Sequence, residues 1–327
     1  MKGIDQRITY IDYTKGVLVV LMVVYHSLNY TTQYELAFRY LSFLPLSFIF
    51  IAGLLISRIY LPRYQSGTKK LTLRLLGRGL RLVALFTVLN IAVQYVRSPN
   101  YGSPSGVGAF FRGWVDVYFI GGSRLAAFDI LLPIAYVIMA SPVLLWLIRA
   151  SQSGFIIGAL SFVVGCCFME VNGHGVANLS SFSVGLLGVA LGALEFNSLL
   201  IPVRLIGAVY LVYYPIGIIW GWIFLVQLFG AVLSLFLLFA ISARLDQTSF
   251  WSRRMICLGQ YSLVGYIVQI GYLQLFSRLL GRPEPWSANF FLIFMSTLIG
   301  TVLITGLLAL MRSRMAIIDR AYKVVFA

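Results

Sequence analysis

Apolar runs recur along this chain that are long enough to cross the hydrocarbon core of a bilayer, which takes about 20 residues of helix. They fall near 15–32, 38–61, 75–96, 128–149, 154–170, 180–200, 204–220, 222–242, 257–280 and 289–311. Their length and number predict an all-α polytopic membrane protein with about ten transmembrane helices. Composition supports this: the chain is 60% hydrophobic and 11% charged, with a mean hydropathy of +0.91. A soluble domain is close to half apolar and about a quarter charged.

Some boundaries are less sharply drawn. The seventh and eighth runs form one apolar stretch, Leu205 to Ile241, which needs a reversal near Tyr214 to Trp222; Pro215, Gly217 and Gly221 are the breakers available there. The fifth run is short, and the sixth begins in the polar phrase Asn178 to Ser183, which allows a shorter span there. Between the runs, most Lys and Arg residues fall in alternate loops on one side, so the positive-inside rule predicts that both termini are cytoplasmic. The formal net charge of +15 therefore reads as a topology signal rather than as a nucleic-acid surface. Met1 to Thr14 is polar and the apolar run after it lacks a small-residue cleavage site, so the first span is expected to stay in the mature protein. The last run ends close to the end of the chain, and 1–327 is expected to be a single membrane domain without an appended soluble one. Cys166, Cys167 and Cys257 show neither a disulfide framework nor zinc-ligand spacing, and no metal site is expected. The longest outer loop, Arg97 to Ala127, mixes Gly, Ser and Pro with aromatics and suits a lid or an acceptor-side surface. Gly185, Gly188 and Gly192 have the helical spacing of a close packing face.

Polar groups inside the apolar runs carry the chemistry. In the first, IDYTKGVLVVLMVVYHSLNY, Asp12, Lys15 and His26 share one helical face: Lys15 and His26 are 11 residues apart, about 20° from three full turns. With Lys15 at an interface, His26 would lie roughly 16 Å deeper, about halfway through the hydrocarbon. An imidazole there has to face other helices, because lipid offers it no hydrogen bond. Asp12 and Lys15, three apart at a helix start, also have the spacing of a simple ion pair.

The third run opens KKLTLRLLGRGLRL, where Arg74, Arg78 and Arg81 are spaced i, i+4, i+7 on one face. Stacked guanidinium groups suit phosphate, because each fork donates two hydrogen bonds at once; the alternative is an anchor to lipid headgroups. In the ninth run, LGQYSLVGYIVQI, the residues Ser262, Tyr266 and Gln269 repeat that spacing on a polar face, suited to bonds between helices or to contact with substrate. Glu35, Asp116, Asp129, Glu170 and His174 are outer-side candidates to assist an acceptor or His26, with Glu35 the preferred catalytic carboxylate.

In order along nearly the whole chain, these phrases resemble the membrane-bound acyltransferase-3 family of bacterial O-acyltransferases. Ile11, Asp12, Lys15, Gly16 and His26 fill its first-span signature of a basic residue, ten residues and a histidine. Arg78 and Arg81 match its Arg-x-x-Arg. FIFIAGLLIS is similar to its aromatic-rich second-span phrase, with Ala52 in place of serine; Gly259, Ser262 and Tyr266 match its ninth-span phrase. Lys15 stands where arginine is usual, and Gln269 where many members have a second histidine. The resemblance implies a standalone membrane domain in the bacterial cytoplasmic (inner) membrane. It implies transfer of an acyl group, most often acetyl, from cytoplasmic acyl-CoA to a hydroxyl of a carbohydrate or lipid-linked glycan at the outer face. In that reading Arg74, Arg78 and Arg81 hold the CoA phosphates and Lys15 orients CoA. His26 is the general base or is itself acylated. The competing expectation is a transporter or flippase of an anionic lipid or glycan, with the arginines on headgroup phosphate and His26 relaying protons.

Overall fold

The computed structural model describes residues 9–31, 36–62, 68–96, 106–123, 125–194 and 202–326, and among these it contains helices and no strand. In chain order the helices are α1 (Thr9–Asn29), α2 (Leu36–Tyr40), α3 (Leu44–Tyr60), α4 (Thr68–Val96), α5 (Val107–Arg112), α6 (Leu131–Ala150), α7 (Gln152–Val171), α8 (Ala177–Ala193), α9 (Val203–Trp220), α10 (Phe224–Ser242), α11 (Phe250–Gln260), α12 (Ser262–Leu280), α13 (Ala288–Arg314) and α14 (Ala316–Phe326). A 3-10 turn, Leu41–Phe43, joins α2 to α3, and a π turn covers Asp116–Ile120. Several starts are set by serine caps: the hydroxyls of Ser151, Ser249 and Ser287 accept the amides of Gly154, Ser252 and Phe290 at 3.1, 3.2 and 3.2 Å.

Among the described residues, 9 helices are long and apolar enough to cross a membrane, counting Leu36–Tyr60 as one. The sixth apolar run becomes α8, which has 17 residues and is short for a full crossing. The ninth run is not continuous. It breaks at Tyr261 into the end of α11 and the whole of α12, and α11 reaches back to Phe250 through the polar phrase FWSRR. The reversal between the seventh and eighth runs falls at Gly221, where a side chain would collide with the Gly217 and Arg39 carbonyls. Pro215 is accommodated inside α9 instead.

The chain packs as two compact units, interleaved in sequence. The first takes the described residues of Met1–Leu44, Asn197–Trp222 and Phe229–Asp319. In it α1 lies against α11, α12 and α13, and α2 against α9. The closest approach is a glycine pair. A Cβ on Gly16 would overlap the Met255 carbonyl, and one on Gly259 would overlap the Asp12 carbonyl and crowd the Gly16 amide. Each glycine thus seats the backbone turn that ends on the other, at one crossing of α1 and α11.

The second unit takes the described residues of Pro45–Phe196, Ile223–Leu228 and Arg320–Ala327. Here α4 packs on α6, and α6, α7 and α8 pack on one another. Gly188 and Gly192 meet the Phe50 and Leu54 carbonyls of α3, and Gly53 meets the Gly185 carbonyl, the close packing their spacing foretold. The described part of the outer loop is fastened by side-chain hydrogen bonds to its neighbours. Asn90 donates to Phe86 O at 2.9 Å and accepts the Ala127 amide at 2.7 Å. Gln94 donates to Leu125 O at 3.0 Å and accepts Gly106 N–H at 3.2 Å, and Asn178 donates to Tyr118 O at 3.0 Å.

Candidate functional site

His26 falls in the last turn of α1, which starts six residues ahead of Lys15. The histidine is therefore near the end of its helix, three residues before Asn29. Thr14 contacts the Ser242 hydroxyl at 3.3 Å, and Ser242 donates to Tyr10 O at 3.1 Å, so the first turns of α1 are ordered against the end of α10. Asp12 and Lys15 form the ion pair their spacing allows, 2.7 Å apart. Lys15 is thus engaged on its own helix.

The His26 ring is 8% exposed and its Nε2 is buried without a hydrogen-bond partner among the described residues. It lies against two tyrosines, with ring centroids 5.1 Å away at Tyr25 and 5.8 Å away at Tyr266 of α12. Tyr25 in turn stacks on Phe38 at 4.8 Å, and Phe38 meets Trp222 at 5.5 Å. Trp222 is exposed. An aromatic path therefore runs from the surface of the first unit to the imidazole. Gln269, which shares the face of Tyr266, is fully buried, and neither its Oε1 nor its Nε2 has a partner among the described residues. Ser262, the first residue of α12, is half-buried. Leaving a buried donor or acceptor unsatisfied costs roughly 1–3 kcal/mol each. A group of such atoms inside one packed unit offers free donors and acceptors to a bound molecule or to ordered water.

Sequence reasoning missed a member of this set. Thr297 of α13 is fully buried and its Oγ1 has no partner among the described residues, whereas Thr301 and Thr305 on the same helix donate to the carbonyls four residues back at 2.7 Å. The threonines at 297, 301 and 305 are spaced by four, a periodicity that marks one helix face and could have flagged it.

In the second unit Arg74, Arg78 and Arg81 do share α4. Arg74 is exposed. Arg78 Nη1 donates to Tyr60 Oη at 3.0 Å, and Arg81 Nη1 donates to Val324 O in α14 at 3.0 Å. Each bond engages one nitrogen of a five-donor group, leaving most of the fork of Arg78 and of Arg81 open. Of the outer-side candidates, Glu35 lies outside the described residues. Asp116, Asp129 and His174 are exposed, all in the second unit. Glu170 accepts the Phe224 amide with both carboxylate oxygens at 3.0 Å, a capping role at the start of α10. Cys166, Cys167 and Cys257 are free thiols, and no group of three His, Cys, Asp or Glu among the described residues could hold a metal ion.

These features define an all-α polytopic membrane protein with a buried, unsatisfied polar group in one unit and a row of cationic forks in the other. Comparison with protein-family models, with curated proteins and with solved structures found no match, so any assignment of activity rests on the residues themselves.

Proposed function

We propose that this protein is a membrane O-acyltransferase. It moves an acyl group, acetyl in the simplest case, from cytoplasmic acyl-CoA to a hydroxyl of a carbohydrate or lipid-linked glycan at the outer face of a bacterial inner membrane. The observation that carries the proposal is the buried His26 Nε2 with no hydrogen-bond partner among the described residues, on a helix whose preceding stretch, Gly16 to Tyr25, carries no charge. Imidazole has an ordinary pKa near 6.5 and is the commonest general base in proteins, and a base without a prior partner is free to accept a hydroxyl proton. The aromatic path through Tyr25, Phe38 and Trp222 supports a carbohydrate acceptor, whose apolar ring faces pack on aromatic side chains. The row of Arg74, Arg78 and Arg81 supports a donor that carries phosphates.

His26 then removes the acceptor proton as the hydroxyl oxygen attacks the thioester carbonyl carbon. The C–S bond breaks, and the CoA thiolate takes the proton from the imidazolium. The variant route, in which His26 Nε2 itself takes the acyl group before the acceptor does, uses the same atom. The test is label transfer. Native membranes are given radiolabelled acetyl-CoA and their glycan fraction is counted. His26→Ala is expected to lose transfer while still migrating as a folded monodisperse protein in detergent; a folded His26→Ala that transfers label at the wild-type rate would remove the proposal.

A further inference from the structure

Three helices of the first unit meet at one level. The Cβ that Gly265 of α12 lacks would lie 3.2 Å from Val19 Cγ1 of α1, and 3.5 and 3.7 Å from the Cγ2 atoms of Thr301 and Thr305 of α13. From this level α1 and α12 run parallel, because farther along both of them Gln274 Nε2 donates to Tyr30 Oη at 2.5 Å. α13 returns in the opposite sense: Gly265 packs on Thr301 and Thr305, while Tyr272, two turns later in α12, packs on the earlier Gly300. Gln269 is one turn beyond Gly265 on the same face, and Thr297 is one turn beyond Thr301 on its face. Both advance about 6 Å in the same direction from the shared contact. The His26 ring reaches the same neighbourhood, since its nearest partner on α12 is Tyr266, three residues before Gln269.

Four buried atoms without partners among the described residues thus converge from three helices, His26 Nε2, Gln269 Oε1 and Nε2, and Thr297 Oγ1; Ser27 Oγ of α1 and Gln274 Oε1 of α12 are unpartnered in the same unit as well. The geometry points to a binding site for the acyl carbonyl, an inference that rests on the acyltransferase reading and extends it. The Thr297 hydroxyl and the Gln269 Nε2 amide donate to the carbonyl oxygen of the thioester, while His26 takes the proton of the attacking hydroxyl. As the hydroxyl oxygen bonds to the carbonyl carbon, the electron pair of the C=O bond moves onto that oxygen, where the two donors hold it. The pair returns as the C–S bond breaks, and the thiolate leaves with the proton carried by His26. Donors aimed at an oxygen that gains charge are worth more in a site closed to water, and they need no reorganisation as the charge develops. Gln269 Oε1 remains as the acceptor for a neighbouring hydroxyl of the glycan.

The test uses Thr297→Val and Gln269→Met, which keep shape and remove the polar atoms, with Thr297→Ser as the conservative control. Label transfer from radiolabelled acetyl-CoA to the glycan of native membranes is followed as a function of donor concentration, and thermal unfolding is followed on the purified proteins. The maximal rate is expected to fall about 100-fold in each apolar variant. The apparent KM for acetyl-CoA stays within about 2-fold, Thr297→Ser keeps most of the rate, and the melting midpoint holds or rises because the lost atoms had no partner. Folded Thr297→Val and Gln269→Met at the wild-type maximal rate would overturn the inference. So would a joint fall in rate and melting midpoint in the apolar variants, the mark of a structural role for the two side chains. Failure of the acyltransferase reading shows up elsewhere, as wild-type membranes that transfer no label.

Discussion

Polar atoms are not kept unpaired inside a packed bundle without a reason, because a native protein is stable by only about 5–15 kcal/mol and each such atom takes roughly 1–3 of it. His26, Gln269 and Thr297 are therefore the most informative side chains in the molecule, all of them buried. His26 and Gln269 were readable from the sequence, because an imidazole or an amide is conspicuous in an apolar run. Thr297 was marked only by the four-residue spacing it shares with Thr301 and Thr305, a weak sign because a threonine inside a helix ordinarily bonds to the carbonyl four residues back, as those two do here. Lys15 shows the converse, a conspicuous charge whose partner is the nearby Asp12. Outside the spans, the Thr248 hydroxyl and amide donate to Asp246 at 2.7 and 2.9 Å and hold its carboxyl below the usual carboxylate range. A carboxyl with a depressed folded pKa adds stability above its unfolded value, near 3.9, and loses it as pH falls through the folded value. Asp246→Asn is accordingly expected to narrow the drop in melting midpoint below about pH 4 and to change its pH dependence little between pH 6 and pH 8. A difference in slope confined to neutral pH would contradict that assignment.

Helix pairing in this protein depends on glycines chosen by contact and not by conformation. Gly16 and Gly259 seat α1 on α11, and Gly53, Gly188 and Gly192 seat α3 on α8, each against backbone that cannot move aside as a flexible side chain would. Gly158 and Gly165 of α7 have nothing within 4 Å of the missing Cβ. The two classes give opposite expectations. Gly259→Ala or Gly188→Ala should destabilise by about 1–3 kcal/mol through overpacking, while Gly158→Ala should gain about 0.5–1 kcal/mol because alanine is the better helix former. Thermal unfolding in detergent reads both, and equal effects at Gly158 and Gly259 would refute the distinction. Gly16→Ala and Gly259→Ala press on the same crossing, so the double variant should cost less than the two single costs added. The spacing at 185, 188 and 192 betrayed its packing role in the sequence. Gly16 and Gly259 did not, because a pair of lone glycines far apart in the chain carries no periodicity.

Hydropathy located nearly every apolar helix, since the bilayer's thickness sets the length that a run must have. It did not find α11 or α14, whose mixed composition lowers their mean hydropathy, and it could not register the break at Tyr261, where no glycine or proline announces a turn. Nor could it foresee that Met1–Leu44 joins Asn197–Trp222 and Phe229–Asp319 in one compact unit while Pro45–Phe196 makes most of the other. That division matters for function, because the imidazole belongs to the first unit and the arginine row to the second. Each half of the proposed activity can therefore be tested by itself. The donor half is tested most directly by calorimetric titration of acetyl-CoA into the purified protein in detergent, with Arg74→Ala, Arg78→Ala, Arg81→Ala and His26→Ala alongside. Saturable binding is expected in the wild type, weakened about tenfold or more in Arg78→Ala, as loss of a charge-assisted phosphate contact requires, and left nearly intact in His26→Ala. A folded wild-type protein that binds no acetyl-CoA, or arginine variants that bind it as tightly as the wild type, would contradict the account.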